Sequence, residues 1–113
     1  MMKWTIEYYS QNVQDWVGKM PVSIRAAYAK LTDLLAEFGV DLRLPHSRAM
    51  GDGLFELRPK GKEGIARVFY CTLVGKRIVV LHGFIKKTQE TPRKELEITI
   101  RRMKEVKNEQ RKK

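Results

Sequence analysis

With 113 residues, 42% of them hydrophobic, the chain is long enough to close one core and too apolar for wholesale disorder. No apolar run approaches the roughly 18 residues of a membrane span, and the single cysteine, Cys71, excludes an internal disulfide. Against 13 Asp and Glu stand 23 Lys and Arg, a net charge of +10 that favours polyanionic partners, because phosphate contacts release counterions.

At the start, Glu7 interrupts any apolar signal core, and a chain needing no disulfide is expected in the cytoplasm. Residues 3–9 alternate, with Trp4, Ile6 and Tyr8 on one side, which predicts a half-buried strand. Ser10 then suits the cap of a short helix carrying Val13, Trp16, Val17 and Met20. Pro21 suits the first turn of a second helix, whose stripe of Ile24, Ala27, Tyr28, Leu31, Leu34, Leu35 and Phe38 ends at Gly39. Residues 40–53, with Pro45, His46, Gly51 and Gly53, are expected to form a loop. Three strands are predicted at 54–58, 65–73 and 77–84, and their short links make them an antiparallel meander. Thr91 and Pro92 open a last helix from about residue 92, with Leu96, Ile100 and Met103 as a narrow apolar stripe. From Arg93 onward nine basic residues face four acidic ones, and residues 108–113 are expected to fray.

The predicted fold class is α+β, a single domain over 1–113. A small antiparallel sheet, made of the N-terminal strand and the three-strand meander, packs on a two-helix hairpin on one face; a C-terminal helix follows. The other sheet face is expected to be at least partly open, and a polyanion would lie there.

Cofactor signals are missing. There is no Walker loop, Gly51-Asp52-Gly53 reads as a turn rather than a dinucleotide fingerprint, and two histidines with one distant cysteine offer no zinc spacing. Neither a metal nor a small-molecule cofactor is expected. What remains is basic side chains on strands. Glu56 and Arg58 share a face of the first meander strand, as do Arg67, Phe69 and Cys71 of the second. Val80, His82, Phe84 and Lys86 are expected on one face of the third, with Lys87 beside them. Arg67 precedes Val68-Phe69-Tyr70, so its charge lies inside an apolar strand and needs a compensating partner or a bound anion.

Three segments carry a resemblance: Leu54-Phe55-Glu56-Leu57-Arg58, Ala66-Arg67-Val68-Phe69-Tyr70, and the block from Leu81-His82-Gly83-Phe84-Ile85-Lys86-Lys87 to Pro92. Together they resemble the RelE/HigB-like toxins of type II toxin–antitoxin systems, in particular their phage-derived branch, over roughly residues 4 to 105. The resemblance implies a RelE-like fold and a cytoplasmic mRNA interferase, an endoribonuclease that cuts mRNA on the ribosome without a metal and inhibits translation. It also implies a cognate helix-turn-helix antitoxin as partner. Matching positions single out Arg58, Arg67, Lys86 and Lys87 as catalytic and Phe84 as substrate-binding; His82, the histidine near that site, and Glu56, where some relatives carry lysine, join the substrate-binding set from this sequence alone.

Such a reaction suits these residue types. The RNA 2′-hydroxyl attacks its own phosphate, arginines stabilise the charge that develops, and Phe84 stacks on a base. The proton-transfer residue stays open among Lys86, Lys87, His82 and Glu56, since no tyrosine follows Tyr70. Two other readings fit the same features: a ParE-like gyrase poison on the same fold, and a non-catalytic nucleic-acid-binding or phage regulatory protein. An acidic antitoxin segment is expected across the open face or the last helix, where Phe69 and Phe84 make a groove partly apolar.

Overall fold

The computed structural model describes residues 3–86 and 91–111. The chain is α+β, a mixed sheet between helices on both faces. The N-terminal alternation produces β1 (Thr5–Tyr8), and Ser10 then caps α1 (Gln11–Gly18) by accepting from the Val13 N–H at 3.3 Å. Pro21 stands at the N-cap of α2 (Val22–Phe38), and Gly39, with φ +54°, ends it. Then come β2 (Ser47–Gly51), β3 (Leu54–Leu57), a two-residue β4 (Lys60–Gly61), β5 (Gly64–Leu73), β6 (Arg77–Lys86) and α3 (Arg93–Arg111).

Strand order is β1-β6-β5-β3-β2, with β4 pairing β5. The meander β3–β5–β6 is antiparallel as its short links require. The N-terminal strand departs from the expected antiparallel sheet, since β1 runs parallel to β6, pairing Thr5 with Arg77 and Tyr8 with Val80. Short turns dictate direction only between consecutive strands, and two α-helices and four other strands separate β1 from β6.

The segment 40–53, expected as a loop, contains β2. Asp52 and Gly53 both have positive φ, 54° and 84°, between the paired Gly51 and Leu54. That is a two-residue type I′ hairpin, for which Asp-Gly is a strong signal. The turn therefore has a strand on each side of it.

Two cores form. On one face, Val13, Val17, Met20, Ile24, Tyr28 and Leu35 of the helical hairpin pack on Leu57, Val68, Tyr70, Ile78 and Val80. On the other, Met103 of α3 buries against Leu54, Phe69, Cys71, Leu73, Val79 and Leu81. The face expected to be at least partly open is thus packed against α3, from His82 beside Glu95 to Val74 beside Gln110. That helix continues to Arg111, through residues expected to fray, and Gln110 exchanges hydrogen bonds of 3.3 Å with the Val74 backbone. Among the described residues, no helix is long and apolar enough to cross a membrane.

Candidate functional site

A β-bulge shapes the site. Tyr70 pairs with Val80 and Phe69 with His82, so Leu81 is an extra residue in β6. The insertion reverses the alternation. Ile78 and Val80 face the helical hairpin, whereas His82 and Phe84 turn toward α3. Val80 therefore does not share the face of His82, Phe84 and Lys86, as a regular period of two predicts.

On that face Glu56, in the internal strand β3, is fully buried. Its Oε2 lies 3.4 Å from Arg67 Nη1 and its Oε1 3.6 Å from Arg58 Nε. Arg67 also donates to the Thr91 hydroxyl just before α3. The Arg67 side chain is 6% exposed and that of Arg58 40%. Arg67 is thus a floor beneath the surface, and Arg58 presents its guanidinium to solvent. Glu56 supplies the compensating charge that a buried arginine requires.

Phe84, opposite Arg67 in the ladder, stacks on Phe69 with ring centroids 6.1 Å apart and planes 28° from parallel. Phe69 is fully buried, so Phe84 alone carries the apolar surface expected of the pair. Lys86 follows two residues on. Partial desolvation, then the charges of Arg67 and Arg58, hold its ammonium below the usual lysine value, against the opposing pull of Glu56. Arg58, Arg67, Glu56 and Lys86 therefore form one electrostatic group, with three cations around a single carboxylate.

Two of the expected residues sit differently. Glu56 has no exposed surface, so it reaches any substrate only through its arginines, not by the direct contact expected of it. His82 lies against α3, with Nε2 3.4 Å from Glu95 and Nδ1 3.4 Å from Arg102. Burial keeps its imidazole below the usual histidine value. Lys87 lies outside the described residues.

Thr91 and Arg102 are the additions that tertiary structure makes. Arg102 donates to the Leu81 carbonyl at 2.8 Å and stacks on the Tyr9 ring, 4.8 Å from its centroid. No cofactor motif or periodicity marks either residue. Among the described residues, no cluster of three or more His, Cys, Asp or Glu could hold a metal ion.

Fold and site define a class, a small basic α+β protein whose mixed sheet displays clustered cations beside an aromatic ring. Residues 15–104, from within α1 to within α3, match the family described as Phage derived protein Gp49-like (DUF891). The chain belongs to that phage-derived Gp49-like family. A comparison with curated proteins finds no match.

Proposed function

We propose that this protein is the toxin of a type II toxin–antitoxin module, a ribosome-dependent, metal-independent mRNA endoribonuclease. The observation that carries this reading is the grouping of Arg58, Arg67 and Lys86 about Glu56 on one face of the sheet beside Phe84. Membership of a phage-derived family and the resemblance to RelE/HigB-like toxins agree with it.

The 2′-hydroxyl of the RNA gives its proton to a solvent water as its oxygen bonds to the adjacent phosphorus, and the bond from phosphorus to the 5′-oxygen breaks. Arg58 meets the non-bridging oxygens, and Arg67 adds its field from beneath. Lys86, its pKa lowered, donates the proton that the departing 5′-oxygen takes. Phe84 stacks on a neighbouring base. The products carry a 2′,3′-cyclic phosphate and a 5′-hydroxyl. The partner that neutralises the toxin is a helix-turn-helix antitoxin with an acidic segment, complementary to the basic surface.

The test is purified protein added to a translating extract, with message ends mapped by primer extension. Cuts in the translated message that disappear in Arg58→Ala and Lys86→Ala proteins support the reading. Intact messages in the presence of folded protein overturn it, and replication failing before protein synthesis on induction points to gyrase instead.

A further inference from the structure

Outside the cation group, a cavity of about 180 Å³ opens at the edge of β6 between α1 and α3. Asn12, Val13, Trp16, His82, Gly83 and Arg102 line it. We propose that this cleft is a nucleobase subsite. It takes one unpaired base of the RNA whose backbone crosses Arg58 and Lys86, with Trp16 as stacking platform and Asn12 as reader of the base edge. The assignment rests on the RNA reading above and adds to it the determinant of sequence preference.

Four features carry the inference. First, Trp16 is a partly buried indole that packs on the helical-hairpin core and still lines the cavity, on a strongly basic protein, and aromatic faces are where unpaired bases are gripped. Second, its position is built. A Cβ on Gly83 would lie 2.5 Å from Trp16 Cζ3, so the glycine lets the indole close on the strand. Third, β1 pairs with β6 only as far as Val80. Beyond it, no strand among the described residues pairs with that edge of β6. Arg102 takes the Leu81 carbonyl there, and a base would meet peptide groups, the Asn12 amide and a guanidinium together. Fourth, size and place agree. The cavity is smaller than the roughly 300–1,000 Å³ of drug-sized sites, and so suits one planar ring system. Gly83 precedes Lys86 by three residues, about 10 Å along a strand, within reach of a neighbouring nucleotide.

The experiment titrates the full-length protein with each of the four ribonucleoside 5′-monophosphates, and with ribose 5-phosphate as the base-free control. Indole and amide proton resonances report. The expected result is a saturable shift of the Trp16 indole and the Gly83 amide, larger for some bases than others, with Trp4 unmoved and ribose 5-phosphate inert. Trp16→Ala is expected to weaken binding of a single-stranded RNA decamer by roughly 5- to 150-fold. Trp16→Phe should retain most of the binding, and Asn12→Ala should flatten the preference among bases. Because Trp16 also packs on Gly83, Trp16→Phe and Asn12→Ala keep the test valid if the alanine variant fails to fold.

No shift at Trp16 with any nucleotide, or an equal shift with ribose 5-phosphate, overturns the subsite. Nucleotides that shift Trp16, on a protein that leaves translated messages intact, uphold the subsite and remove the nuclease. Messages cut with unchanged site preference by Asn12→Ala protein, on an RNA that the parent and Trp16→Phe proteins also cut, remove the subsite alone.

Discussion

Glu56 Oε2 stands 3.4 Å from Arg67 Nη1 in the middle of the sheet, a fully buried carboxylate beneath a nearly buried guanidinium. Oε1 of the same carboxylate reaches Arg58 at 3.6 Å, and neither oxygen has a well-aligned hydrogen bond. One anion thus holds two cations by charge more than by directed bonds. The partly exposed Arg58 can turn its guanidinium to a phosphate, while the folded chain avoids an uncompensated buried charge.

Removing that anion destabilises the fold. Glu56→Gln is expected to lower unfolding free energy by about 3–5 kcal/mol, the usual effect of breaking a buried pair by deleting one member. The paired change Glu56→Leu with Arg67→Met should recover most of that stability and none of the activity. Urea denaturation of the three proteins, with cleavage assays at matched folded fraction, checks both.

Arg58 separates function from stability. Its side chain is 40% exposed, so Arg58→Ala should change stability by less than about 1 kcal/mol. Loss of a transition-state donor should slow cleavage by roughly 100- to 1,000-fold. Single-turnover cleavage beside a thermal melt decides the matter; a slow enzyme with an unaltered melt is expected.

A pH profile tests Lys86 as the acid. The protonated amine is the active form, so cleavage falls as pH rises through its pKa, which lies below the ordinary 10.5. Arg67 and Arg58 push that pKa down and Glu56 pulls it up. The alkaline limb should therefore move to higher pH in Arg58→Gln, where residual activity permits the measurement. Lys86→Ala should lose the limb together with the rate.

Stability depends on His82 at mildly acid pH. Its folded pKa lies below the ordinary 6.5, because burial disfavours the imidazolium. Between those two values the unfolded chain binds more protons, so the contribution of His82 is intact above about pH 6.5. It is lost as pH falls through the folded pKa. His82→Phe should show a shallower decline in melting temperature from pH 7 to pH 5 than the parent protein.

Cys71 is fully buried in the core under α3, and burial pushes its thiol above the ordinary value. It should react with a thiol reagent only on unfolding, so labelling rates under native conditions report global opening.

Much of the fold was legible because its signals are local. The stripe from Ile24 to Phe38, the cap at Ser10, the stop at Gly39 and the three meander strands each lie within a few residues of the cause that produces them. The site was legible to the same depth. Arg58 and Arg67 flag themselves as charges on apolar strands, and Phe84 and Lys86 follow in a motif-bearing block. Thr91 was not legible as a partner of Arg67, 24 residues away, nor was Arg102 as a partner of Leu81.

By itself, then, the amino-acid order determined the helical hairpin, the meander and the surplus of cations, because periodicity and charge are properties of short windows. Tertiary structure alone decided that β1 runs parallel to β6, and that Leu81 bulges so that His82 and Phe84 turn away from Val80. It alone decided that α3 packs on one face, and that Glu56 lies beneath Arg58 and Arg67. Each depends on groups distant in sequence competing for the same buried volume, and only packing settles that competition.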